Sequence, residues 1–262
     1  IYGTMFAIGI DFVIVTNNTV FGNTITNFVW GMRLYNNSDY NTIFGNTITD
    51  NQYGFHLENS FDNAIYHNNL VDNANQTYFA TPVQFNIWDK GYPFGGNYWS
   101  DYAGVDLNHD GIGDSWYNIT QDNTDHYPLM GMFHSFNASL GYYVDVVSNS
   151  TIDDFEYFES NSTIRMYVSN MTLSQTYGFC RVCIPKGLMS PPYTVIIDDE
   201  MTEVLYFNGT VYDNGTHRWV YFAYEHSIHE VDIIPEFPTW TSILLILIVL
   251  TVAIAIYKRR LL

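Results

Sequence analysis

Positive charge is scarce in this 262-residue chain: 9 Lys and Arg stand against 27 Asp and Glu, a formal charge of −18. This balance argues against nucleic acid and anionic lipid surfaces as partners, since both bind through clustered cations. Cysteine is almost absent. Cys180 and Cys183 cannot build a disulfide framework, and on a strand their side chains point to opposite faces. A redox C-x-x-C opens a helix and a zinc site needs a second ligand pair, so both are expected as buried thiols. His217, His226 and His229 are too few and too divergent on strands for a metal centre. No nucleophile triad and no phosphate loop occurs. Charged residues of either sign make up only 14 % of the chain, while apolar residues reach 47 %, which favours folded domains over disorder. Polarity comes instead from Asn, Ser, Thr and 22 Tyr, the makings of β-structure with polar turns.

A repeat of 22 to 23 residues fills the first part of the chain. Asn18, Asn41 and Asn63 follow it, as do Asn23, Asn46 and Asn68. Ile25, Ile48 and Leu70 form a third series; Val20, Ile43 and Ile65 a fourth; Phe12, Leu34 and Leu57 a fifth. Gly9, Gly31 and Gly54 precede the apolar run of each unit. A repeat this short cannot close a core and must stack on its neighbours. Its apolar positions alternate as in strands, and its asparagines suit both tight left-handed turns and stacked amide ladders. These features specify a right-handed parallel β-helix with one coil per repeat. Leucine-rich repeats share the period but not the fixed leucines. The chain opens inside a repeat, so it is expected to be the C-terminal part of a longer protein with more coils ahead.

The repeat leads into Asn86-Ile-Trp-Asp-Lys-Gly-Tyr-Pro-Phe-Gly-Gly-Asn-Tyr-Trp-Ser-Asp101, then Asp106-Leu-Asn-His-Asp-Gly-Ile-Gly-Asp114 and Asp125-His-Tyr-Pro-Leu129. Over residues 1 to about 133 the chain resembles archaeal NosD-like proteins of the parallel β-helix class. The resemblance implies a β-helix of the carbohydrate-binding and sugar-hydrolase-like kind, and the NosD name implies copper handling. The sequence is not rich enough in Met or His to support copper.

Residues 77–133 are expected to cap the coils of residues 1–76. Texture changes over 134–234, where runs such as Gly141–Val147, Thr163–Val168, Tyr177–Ile184, Tyr193–Ile197, Val204–Phe207 and Trp219–Tyr224 predict an Ig-like β-sandwich stalk. Residues 235–262 close the chain. Trp240–Tyr257 carries no charge and is followed by Lys258, Arg259 and Arg260. As a helix that stretch covers about 27 Å, enough for the hydrocarbon core of a bilayer, and the basic flank places its end in the cytoplasm. Ile234-Pro-Glu-Phe-Pro238 with this segment resembles the PEF-type sorting signal, which implies processing by an archaeosortase.

Three sets of candidate site residues follow. Asp106, Asn108, Asp110, Gly111, the Ile112 carbonyl and Asp114 match the first part of an EF-hand-type loop. Tyr117 stands where the distal carboxylate belongs, so Asp125 or Asp101 is expected to supply it. A structural calcium ion follows, at the roughly 10⁻⁴–10⁻³ M affinity of extracellular modules. Trp88, Tyr92, Tyr98, Trp99 and Trp116 crowd around that loop as cap aromatics, and one or two of them are candidates for stacking on sugar rings. Asn17, Asn36, Asn75, Asn118, Asn137, Asn149, Asn161, Asn170, Asn208 and Asn214 each begin Asn-x-Ser/Thr, the glycosylation acceptor of an exported protein. For catalysis the coils offer Arg33 and the aligned pair Asp39 and Asp62, but the pair sits in turns where Asp is expected for backbone reasons. No catalytic residue is assigned. The expected protein is a cell-surface β-helix that binds extracellular or envelope polysaccharide or serves as a structural component. The alternatives are a lyase or hydrolase with its site on further coils and a NosD-like copper handler.

Overall fold

The computed structural model describes residues 7–80, 84–139, 141–202, 212–225 and 227–236. The expected transmembrane run Trp240–Tyr257, Phe237 and Pro238 of the sorting motif, the strand Val204–Phe207, the sequon at Asn208 and His226 lie outside these residues. No helix occurs among the described residues.

Ten strands build the repeat: β1 (Ile8–Val13), β2 (Thr19–Phe21), β3 (Thr24–Thr26), β4 (Trp30–Tyr35), β5 (Thr42–Phe44), β6 (Thr47–Thr49), β7 (Tyr53–Glu58), β8 (Ala64–Tyr66), β9 (Asn69–Val71) and β10 (Asn75–Phe79). They pair in parallel as β1-β4-β7-β10, β2-β5-β8 and β3-β6-β9, three faces of a β-solenoid of about three turns. The apolar series fall in register. Ile25 pairs Ile48 and then Leu70; Val20 pairs Ile43 and then Ile65; Phe12 pairs Leu34 and then Leu57. These side chains, with Met32 and Phe55, form the buried solenoid core. Each coil brings a glycine against the next backbone: a Cβ on Gly54 would stand 2.6 Å from the Gln76 carbonyl.

At the corners the asparagines divide the work differently from expectation. The left-handed turn is taken by the residue before each ladder asparagine: Asn17, Tyr40 and Asp62 at one corner, Gly22, Gly45 and His67 at the next. The ladder asparagine turns inward instead. The Asn18 amide N–H and side-chain NH₂ both donate to Asn41 Oδ1, Asn41 donates likewise to Asn63, and Asn63 to Asn86. A second ladder runs Asn23, Asn46, Asn68, Asn97. Corner backbone groups with no strand partner are satisfied in this way.

The cap adds β11 (Tyr98–Trp99), which extends the third face beyond β9, and the hairpin of β12 (Tyr117–Thr120) and β13 (Asn123–Asp125). Two antiparallel sheets follow. One is β14 (Met132–Ser139), β15 (Tyr142–Ser148), β18 (Tyr177–Pro185) and β21 (His217–Glu225), in that order. The other runs β16 (Thr151–Phe158), β17 (Thr163–Ser169), β22 (His229–Pro235), β19 (Tyr193–Ile197) and β20 (Glu200–Thr202). Inward residues of both, Val146, Val182 and Phe222 facing Met166, Val195 and Val231, share one core. Strand β16 was not apparent in the alternation because it lies at a sheet edge with a register shift between Ile152 and Asp154. Cap and sheets also share a core of their own, where Ile112, Leu129 and Phe133 meet Phe179, Trp219 and Tyr221.

Candidate ligand-binding surface of the cap

The cap ends both asparagine ladders. Asn86 donates its amide N–H to Asn123 Oδ1 at 2.9 Å, and Asn97 donates its own to Asp125 Oδ2 at 2.7 Å. Trp88 Nε1 donates to the same Asn123 oxygen and Trp99 Nε1 to the same Asp125 oxygen, at 2.9 and 2.8 Å. Their rings lie 5.8 Å apart across the last coil and are each 1 % exposed. The signature phrases around Asn86 and Asn97 therefore encode two ladder rungs and two plugs. Trp88 and Trp99 are inaccessible to a sugar, because closing the solenoid's apolar end takes both rings.

Asp125 is likewise taken up by the end of the ladder. Its Oδ2 takes the two bonds above and Oδ1 accepts from the Tyr127 amide at 3.0 Å. Burial pushes this carboxyl up to about 7, against the opposing pull of those donors. Asp101 accepts from the Tyr117 hydroxyl at 3.0 Å.

The acidic loop closes on itself. Asp106 accepts from the amides of Asp110 and Gly111, Asp110 from the Ile112 amide and the Asn108 side chain, and Asp114 from the Leu107 amide. Burial raises the Asp106 carboxyl above its ordinary range. Gly111, at φ 76°, passes so close to Arg181 that a Cβ would stand 2.8 Å from Arg181 Cδ. The Arg181 guanidinium, buried under the loop, donates to the Pro93 carbonyl and stands over the Trp219 ring. The loop thus seats directly on the second sheet unit. The donors are all hard oxygens, as calcium requires, but no three His, Cys, Asp or Glu side chains converge as a metal cluster among the described residues.

The remaining aromatics stay accessible. Trp116 is 62 % exposed and Tyr92 40 %, with Tyr98 half-buried. Trp116 meets the His126 ring edge-on at 5.0 Å, and His126 Nδ1 pairs with Asp89 Oδ2 at 2.8 Å. Tyr127 links His126 to Tyr92, at centroid separations of 6.4 and 6.1 Å. The result is a strip of rings with a carboxylate and an imidazole beside the most exposed one. His126 and Asp89 were not singled out from sequence; Asp89 sits 37 residues away from its partner, and only the closed cap brings them together.

Elsewhere the side chains serve structure. Arg33 is paired with Asp11 at 2.5 Å, and Asp39 accepts from the Phe61 amide. Cys180 faces the inter-sheet core and Cys183 the cap side, as their spacing on a strand requires. His229 is held by Asp198 at 2.6 Å and His217 by Thr216 at 2.9 Å. Of the sequons, Asn17, Asn75, Asn118, Asn137, Asn161, Asn170 and Asn214 are exposed and Asn36 partly so. The Asn149 amide is engaged at both ends, with Phe179 N–H and the Tyr177 carbonyl.

Residues 7–104, the coils and the first part of the cap, match the family model described as periplasmic copper-binding protein (NosD). No curated protein and no solved structure matches the chain. Within the matched segment the imidazoles are built into the fold. His56 lies between the rings of Trp30 and Tyr78, at 4.6 and 5.1 Å. His67 is buried with Nε2 against the Phe94 carbonyl, and burial pulls its pKa down to about 3.

Proposed function

We propose that this NosD-like parallel β-helix protein works outside the cytoplasm as a polysaccharide-binding surface component. The observation that carries the reading is the exposed Trp116 ring beside the Asp89–His126 pair, continued by Tyr127 and Tyr92. Aromatic faces stack on the C–H groups of pyranose rings, while the exposed His126 imidazole, oriented by Asp89, exchanges hydrogen bonds with hydroxyls. The matched family description names a periplasmic protein, and the exposed sequons agree with export. In this proposal the two sheets of residues 134–234 act as an Ig-like stalk, and residues 235–262 as an archaeal sorting signal or anchor. Calcium is the proposed ion of the acidic loop, held by Asp106, Asn108, Asp110, the Ile112 carbonyl and Asp114. When bound it supplies charge neutralisation to a crowded acidic turn.

The test is incubation of the protein with a panel of insoluble archaeal and plant polysaccharides. Retention on one of them without release of new reducing or unsaturated ends supports binding. Release of ends makes the protein an enzyme, and absence of both signals leaves an architectural spacer.

A further inference from the structure

Between the solenoid and the first antiparallel sheet lies a cleft of about 600 Å³, within the size range of ligand sites. Its aromatic lining is arranged unusually for sugar stacking. Phe44 is sandwiched between Phe21 and Tyr66, at 5.4 and 5.7 Å and within 16° of parallel. On the opposite wall Phe136 is sandwiched between His134 and Phe155, at 6.0 and 4.4 Å and within 10°. Both faces of Phe44 and of Phe136 are therefore covered, so these two rings offer an occupant their edges, while Phe21 and Tyr143 of the same lining are exposed. Ring edges carry the positive part of the aromatic quadrupole.

One full charge of the same sign joins them. Lys90 reaches the cleft with its ammonium over the rings of Tyr66 and Phe94, at 5.2 and 4.8 Å. It is exposed and makes no ion pair among the described residues. The acid of the cleft, Asp145, is engaged by the Ser135 hydroxyl at 2.6 Å.

We infer that this cleft is a second glycan subsite that selects a sugar residue bearing a single carboxylate, a uronate, through Lys90 and the ring edges of Phe44 and Phe136. The inference rests on the glycan-binding reading above. Among the described residues that line the cleft, Lys90 is the one Lys or Arg, with Asp145 the acid in its field, so a single anion is the charge it can take. A densely charged polyanion is disfavoured, since the protein's own charge of −18 opposes its approach.

Calorimetric titration of the full chain with an aldobiouronic acid, one uronate joined to one neutral sugar, and with its carboxyl-reduced counterpart tests this. The acid is expected to bind about tenfold more tightly, the factor equivalent to 1.4 kcal/mol for a charge-assisted hydrogen bond. Lys90→Gln, at an exposed position, is expected to abolish that preference, and Trp116→Ala to leave it intact. Equal binding of the two disaccharides, binding of neither, or a preference that survives Lys90→Gln overturns the inference. Polymer retention that persists in those cases leaves the cap reading standing. A Lys90-dependent preference without polymer retention sinks the cap reading alone.

Discussion

Asp125 closes the second asparagine ladder by accepting from Asn97, Trp99 and Tyr127, and burial lifts its pKa from 3.8 to about 7. Between those values the folded protein keeps a proton that the unfolded chain has released. The contribution is fully present below about 3.8 and is lost as pH rises through about 7. Asp125→Asn is therefore expected to remove this slope, so that wild-type stability relative to the variant falls from pH 4 to 7 in denaturant titrations. A constant difference would refute it. Asn46 is the clearest ladder test, since Oδ1 accepts from Asn23 and Nδ2 donates to the Val20 and Phe44 carbonyls and to Asn68. Asn46→Ala leaves several buried groups unpaired and is expected to cost on the order of 3 kcal/mol by equilibrium unfolding. At this scale the sequence was readable where residues repeat. The ladder roles of Asn41, Asn46, Asn63 and Asn68 follow from spacing. Asp125 does not repeat, and its nearness in sequence to the acidic loop gave no sign that it ends a ladder.

Among the elements, the coil is the part most legible in advance. Its apolar series fall in register because a strand's two-residue period leaves no choice of which side chains face inward. The glycine column follows from the same stacking. Gly54→Ala sets a methyl 2.6 Å from the Gln76 carbonyl and against Leu70, and is expected to destabilise the solenoid by about 2 kcal/mol, read as a lowered urea midpoint. The cap was legible in composition but not in role. Trp88 and Trp99 look like Trp116 in a sequence, and nothing local says which ring a solenoid end will swallow. The decision lies with Asn123 and Asp125, which arrive from the far side of the loop to hold the two indoles inward. Edge strand β16 went unseen for the converse reason, since an exposed, bulged strand has no need of a clean apolar alternation.

In the whole molecule the acidic loop is also a joint. Gly111 rests on Arg181, and Arg181 reaches back to Pro93, so cap and sheets share one packed boundary with the core around Trp219. If the loop holds calcium, chelation loosens that boundary. EDTA is expected to lower the melting temperature and readdition of calcium to restore it; unchanged melting with no calcium by elemental analysis removes the ion. The cap then presents two kinds of aromatic residue, rings that close the solenoid and rings that face solvent beside Asp89 and His126. The most direct measurement compares the wild type with Trp116→Ala for retention on the insoluble polysaccharide that holds the wild type, with melting followed in parallel. Loss of retention at unchanged melting temperature is the predicted result. Retention equal to that of the wild type would contradict the assignment of this surface to glycan binding.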